Sequence, residues 1–239
     1  MPFIENQGVK IYFEVHGQGQ PIVILHGFTN NLQLWKLAGY VSGLKRAYQV
    51  ILIDQRGHGQ SDKPHAEEEY SLDKRLGDII MVLDHLGVEQ ACLFGYSMGG
   101  WLTFALAAYF PERVSSLVIG GAHPFQENSD AFADVDGSDP DAFIQALSSF
   151  IGEKIAPEFH PIILQNDLVA LSAAAQDRQS LEERLSEIKV PCLLYAGEND
   201  KRVEKINLCA AKLPNARLLM VPSAGHVTAL FEVDVVLPA

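Results

Sequence analysis

The segment Phe94-Gly95-Tyr96-Ser97-Met98-Gly99-Gly100 holds a serine in a G-x-S-x-G setting, directly after the apolar run ACLFG and directly before the helical pattern WLTFALAAY. A chain that passes abruptly from strand to helix forces such a serine into strained dihedrals and lifts its hydroxyl clear of the sheet, while the flanking glycines let strand and helix approach closely. The chemistry this suits is nucleophilic attack. A serine hydroxyl is a weak nucleophile at neutral pH, so it needs a base within hydrogen-bond reach, and that base needs a partner to fix its tautomer. Asp200, in AGENDKRV past the run VPCLLYAG, and His226, in PSAGHVTALF past RLLMVP, meet those needs. Both follow strand-like runs, where the carboxyl ends of parallel strands bring side chains to one functional edge.

Other residues of the same types compete for these roles. Glu198 and Glu204 flank Asp200, but only Asp200 has G-x-x-D spacing from Gly197, as a short turn after a strand would use. His26 and His58 follow earlier strands, where a histidine more often holds a loop through its ring nitrogens, and His123 and His160 fall in a different part of the chain. Attack on a carbonyl also requires donors aimed at the oxyanion that forms, and backbone N–H groups serve best because they are fixed before reaction. The N–H of Met98, at the start of the helix after the turn, is one candidate. The N–H of Phe28, in His26-Gly27-Phe28-Thr29 after the run PIVIL, is the other.

These residues require a sheet to position them, and the chain supplies one. VKIYFEV, PIVIL, QVILI, ACLFG, SSLVIGG, VPCLLYAG and RLLMVP are strand-like, and most are continuous apolar runs of the kind covered on both faces. Helical patterns lie between them. In SLDKRLGDIIMVLDHLGV, Leu72, Leu76, Ile79, Leu83 and Leu86 recur at helical spacing, with Ser71 as the expected N-cap and Gly87 as the stop. Such alternation predicts an α/β fold with a mostly parallel sheet and helices on both faces. VKIYFEV and PIVIL, joined by HGQGQ, are expected to form an antiparallel hairpin. The alternation breaks over residues 122–189, where ENSDAFADVDGSDPDAF is acidic and turn-rich and DAFIQALSSFIGEKI is helical. This stretch reads as an insertion over the sheet, with residues 1–121 and 190–239 forming the core domain.

Composition narrows the classes of partner. Eighteen Lys+Arg against thirty Asp+Glu give a net charge of -12, which opposes binding to nucleic acid or to an anionic membrane surface. No apolar run reaches the ~18 residues of a membrane span, and MPFIENQGVK lacks the features of a secretion signal, so a cytoplasmic location is expected. Cys92 and Cys192 lie in strand-like runs and read as buried reduced thiols. Cys209 has no ligand spacing near it, and no metal site is expected.

HGFTNNLQLW, ILIDQRGHGQSDKP, GYSMGG, GENDKRV and AGHVTALF, in that order, resemble the successive motifs of the α/β-hydrolase superfamily, with a flavour similar to small bacterial esterases, enol-lactonases and carbon-carbon bond hydrolases. The resemblance implies a small helical cap inserted after the sixth strand and a cofactor-free serine hydrolase. Ser97, Asp200 and His226 match the catalytic positions, and Phe28 and Met98 match the oxyanion hole. Similar dehalogenases and epoxide hydrolases carry Asp at the nucleophile position, so Ser97 argues against those activities. The implied reaction is cleavage of small carboxylic esters, with lactones, thioesters, carbon-carbon bonds or perhydrolysis as relatives of the same chemistry and a slow-turnover ligand sensor as the non-enzymatic rival. Within the cap, Phe125, Phe132, Phe143 and Phe150 are candidates for either subdomain core or pocket lining, and VTALFEVDVVLPA is expected to supply most of a final helix.

Overall fold

The apolar runs become strands whose successive side chains enter two different cores. In β3 (Gln20–Leu25) Val23 and Leu25 join one cluster while Ile22 and Ile24 join the other, and in β4 (Tyr48–Ile53) Ile51 and Ile53 separate from Val50 and Leu52 in the same way. That is why these segments read as unbroken apolar runs. The computed structural model describes residues 2–239. The remaining strands are β1 (Phe3–Asn6), β2 (Val9–His16), β5 (Ala91–Tyr96), β6 (Val114–Gly120), β7 (Cys192–Gly197) and β8 (Ala216–Val221). The eight form one sheet in the order β1-β2-β4-β3-β5-β6-β7-β8, parallel from β4 to β8 and antiparallel at the β1 and β2 edge.

One cluster is closed by helices α3 (Leu72–His85), α4 (Met98–Tyr109) and α8 (Val203–Lys212), the other by α1 (Gln33–Leu37), α2 (Tyr40–Leu44) and α9 (Val233–Val236). The stop after α3 is as expected: Gly87 adopts φ 65°, and the Val88 amide returns to the Leu83 carbonyl at 2.9 Å. Ser71 occupies the N-cap position of α3, but its hydroxyl makes no capping bond.

Two expectations are corrected. β2 and β3 do not pair, because β4 lies between them and β2 is antiparallel to β4. The partner of β2 on its other side is β1, joined through Gln7 and Gly8, both at positive φ (52° and 82°), which is the backbone a two-residue hairpin turn needs. The final segment is not a continuous helix either: a 3-10 turn over Thr228–Phe231 and the short α9 are separated at Glu232, whose ψ of 52° leaves the helical range.

The insertion follows the sixth strand and carries α5 (Pro140–Ile151), α6 (His160–Ile163) and α7 (Leu168–Ala174). Asp139 caps α5 by accepting from the amides of Asp141 and Ala142, with Pro140 at the first helical position. The segment has its own apolar cluster around Phe143, Leu147 and Leu171, and Phe28, in the loop after β3, packs against it. Of the four cap phenylalanines, Phe132 and Phe143 belong to that cluster with Phe150 packed against it, whereas Phe125 joins the core of the sheet.

Candidate active site

Ser97 sits between β5 and α4 at φ 54°, ψ -112°, a conformation that costs an L-residue on the order of 1–3 kcal/mol and persists only when its surroundings fix it. They do so closely. The Ser97 amide donates to the Gly120 carbonyl at 2.8 Å, and a Cβ on Gly99 would come within 2.3 Å of the Leu25 carbonyl oxygen. A Cβ on Gly95 would meet the Gly99 carbonyl at the same distance, so strand and helix can cross here only with glycine at both positions.

The turn after β7 places Asp200, and the loop after β8 places His226. The Asp200 amide donates to Gly197 at 3.1 Å, and its Oδ1 accepts from the Arg202 amide at 2.9 Å, leaving Oδ2 for a side chain. That oxygen lies 2.6 Å from His226 Nδ1, and His226 Nε2 lies 3.0 Å from Ser97 Oγ. Aspartate accepts only, so Nδ1 carries the proton and Nε2 is free to accept the serine's. Burial raises the Asp200 carboxyl, but the His226 hydrogen bond and charge, with the amide and guanidinium of Arg202, outweigh it and hold the group below the ordinary carboxylate range. Tyr96 fixes the histidine loop from beneath by donating its hydroxyl to the His226 carbonyl at 2.5 Å.

The rival residues have other partners. Glu198 accepts from the Ser223 amide at 3.0 Å and so braces the loop after β8, while Glu204 is exposed on α8. His26 donates from Nδ1 to the Gly27 carbonyl and accepts the Gln55 amide at Nε2, a loop-holding arrangement of a neutral ring, and burial lowers its pKa. His58 contacts the Arg56 carbonyl and His160 the Ile155 carbonyl. His123 is buried with neither ring nitrogen bonded to a protein partner. The amides of Phe28, in the loop after β3, and of Met98, in the first turn of α4, make no hydrogen bond to an acceptor among the described residues.

The arrangement can be compared with known proteins. Residues 20–161 match the family model described as the alpha/beta hydrolase fold. The chain belongs to the α/β-hydrolase family. A Bacillus subtilis (strain 168) protein bearing the name 2-succinyl-6-hydroxy-2,4-cyclohexadiene-1-carboxylate synthase is 32% identical, over 87% of this chain and 84% of its own. Among solved structures, an esterase from Exiguobacterium antarcticum superposes with a TM-score of 0.81 at 26% identity, covering 97% of this chain and 94% of its own. Est816, titled as an N-acyl homoserine lactone degrading enzyme, superposes with a TM-score of 0.78 at 28% identity, covering 98% and 96%.

In this hydrolase fold a cavity of about 200 Å³ opens beside Met98 and Phe28, where residues of α3, α4 and the insertion meet. Phe132 and Phe150 line it, and so do Tyr70, Trp101, Arg75 and Arg178. The insertion is tied down around it by polar contacts. Glu127 bridges Arg178 and Arg202, Asn166 donates to the Thr29 carbonyl at 3.0 Å, and Arg75 donates to the Ala174 carbonyl at 2.6 Å. These arginines escaped the sequence reading. One signal was available for Arg75: with Leu72, Leu76 and Ile79 it falls on the apolar face of its helix, where a cation is out of place.

Proposed function

We propose that the protein is a serine hydrolase of small carboxylic esters that works through an acyl-enzyme on Ser97. The observation that carries this reading is the hydrogen-bonded chain from Ser97 Oγ through His226 to Asp200, set at a strained turn beside two unengaged amides. In the reaction, His226 Nε2 takes the Ser97 proton as Oγ attacks the ester carbonyl, and the amides of Phe28 and Met98 receive the oxyanion. The imidazolium then protonates the departing alcohol. Water, activated by the same nitrogen, releases the acid and restores Ser97. Asp200 keeps the tautomer and supports the charge on the ring without taking a proton itself. A lactone is an internal ester and is opened by the same steps, and the similarity to Est816 favours including lactones in the substrate range.

Residues 122–189 act in this reading as a cap over a core domain of residues 1–121 and 190–239, with the cavity at their junction receiving part of the substrate. No helix among the described residues is long and apolar enough to cross a membrane. The three cysteines are unpaired, which supports a reducing compartment, and we propose the cytoplasm. The deciding experiment is labelling by a p-nitrophenyl phosphonate. One equivalent should attach to Ser97 with release of one nitrophenol, and Ser97→Ala should take up none. Labelling that is lost in neither Ser97→Ala nor His226→Ala would overturn the assignment.

A further inference from the structure

Arg75 stands out among the charged groups of the described residues because it lines the cavity beside Met98 and Phe28 and has no carboxylate partner among them. Its Nε donates to the Tyr70 carbonyl at 2.7 Å and its Nη2 to the Ala174 carbonyl at 2.6 Å, while Nη1 has only the Met98 sulfur, at 3.6 Å. The Tyr70 ring lies under the guanidinium at 5.4 Å. Arg75 is half-buried, whereas the buried arginines are paired: Arg56 with Asp78 at 2.7 Å, Arg178 and Arg202 with Glu127 at 2.9 and 2.8 Å. A guanidinium has five N–H donors, so one on Nη2 and both on Nη1 lack an oxygen acceptor. Taking such a cation even partly out of water without a counter-charge is unfavourable, and that desolvation together with the nearby Arg178 lowers the Arg75 pKa to about 10. The cost is relieved if an anion completes the site. The contact with Met98 sets where that anion would sit, because the Met98 amide is the proposed oxyanion donor next to Ser97.

We propose that Arg75 receives a carboxylate carried by the substrate, so that the cavity selects short esters whose chain ends in an anion, such as half-esters of small dicarboxylic acids. This rests on the acyl-enzyme reading of Ser97. The forked, planar guanidinium suits a carboxylate, and Arg178 in the same cavity adds positive potential although it is itself paired. A carboxylate has room only if the intervening chain is short, since the cavity holds about 200 Å³.

The test uses monomethyl glutarate and methyl pentanoate, which have the same length and differ in ending on a carboxylate or a methyl group. Hydrolysis is followed in a pH-stat with the full chain. Wild-type protein should show kcat/KM at least tenfold higher for the half-ester. Arg75→Gln should lower the ratio of the two by about 30-fold, the scale of a lost hydrogen bond to a charged group, and Arg75→Lys should recover part of it. Glutarate should inhibit hydrolysis of methyl pentanoate competitively in the wild type and much less in Arg75→Gln. Should Arg75→Gln fail to fold, the wild-type ratio and the glutarate inhibition decide alone. Hydrolysis of methyl pentanoate with no preference for the half-ester, or an unchanged ratio in folded Arg75→Gln, overturns the role of Arg75 and leaves the esterase reading intact. Failure to hydrolyse either ester, with no phosphonate labelling of Ser97, overturns both.

Discussion

Ser97, His226 and Asp200 form a hydrogen-bonded chain in which the carboxylate has its second oxygen tied elsewhere. Asp200 Oδ1 is taken by the Arg202 amide, which leaves Oδ2 to hold the imidazole. If the three residues act as proposed, they act as a unit, and Ser97→Ala should cost about 10⁴- to 10⁶-fold in kcat for a p-nitrophenyl ester with the unfolding midpoint nearly unchanged. Asp200→Asn should cost on the order of 10⁴-fold, since an amide can donate to Nδ1 and stabilise the wrong tautomer. Glu198→Gln and Glu204→Gln are the controls. If either lowers kcat more than Asp200→Asn does, the carboxylate has been misassigned. Asp200 also carries a pH signature. Its folded pKa lies below the unfolded one, so the stability it contributes is present above the unfolded value and is lost as pH falls through the folded value.

At the scale of elements, the site depends on how closely β5, α4 and the loop after β3 pack. Gly99→Ala would push a methyl carbon against the backbone carbonyls of Leu25 and His26, at 2.3 and 2.7 Å, where no side chain can yield. Overpacking of this kind typically costs about 1–3 kcal/mol, and a urea titration should register a loss of that size or larger. A midpoint equal to wild type would mean that the turn is looser than its contacts indicate. The candidate residues were legible as candidates because each follows an apolar run, a pattern local to the sequence. Strand order was not, since β4 enters between β2 and β3 from more than twenty residues further along the chain. β1 is only four residues long and alternates exposed with buried, too brief a signal beside the longer strands. Arg75 was missed for a related reason: its cavity is made jointly by α3, α4 and a distant segment that includes Arg178, so no stretch of sequence contains it.

The junction between sheet and insertion has its own pH response, carried by His123. It is 4% exposed with both ring nitrogens unpaired, and burial lowers its pKa to about 4 despite the nearby Glu127. The unfolded chain takes up a proton near pH 6.5 and the folded one does not, so stability is full above about 6.5 and falls as pH drops toward 4. The drop from this residue is on the order of 3 kcal/mol, one pKa unit being worth about 1.4 kcal/mol. His26 and His58, both buried with lowered pKa values, act in the same direction. His123→Phe should therefore reduce the loss of urea stability between pH 7 and 4.5 without abolishing it. An unchanged pH dependence would show that His123 protonates freely in the folded protein.

For the whole molecule, charge and cavity size restrict which esters can be reached. The net charge is -12, and the first part of the insertion exposes Asp130, Asp134, Asp136, Asp139 and Asp141, while Glu127, the sixth acid of that stretch, is drawn inward between Arg178 and Arg202. An enzyme that works on lipid droplets must adsorb through an apolar surface, and a hydrated acidic rim opposes adsorption to an anionic interface. Behind the rim, the cavity of about 200 Å³ lies below the usual ~300–1,000 Å³ of ligand pockets, and Phe132, Phe150 and Trp101 bound it. Those dimensions favour acyl chains of roughly two to six carbons among neutral esters. In a series of p-nitrophenyl esters from acetate to palmitate, measured as kcat/KM below the micelle threshold, the rate should peak early and fall before octanoate. Tributyrin in solution should be cleaved and a triolein emulsion should not. A rate that climbs steadily to palmitate, or rises sharply when triolein droplets form, would show that the insertion opens far enough for neither its acidic rim nor its phenylalanines to set the limit.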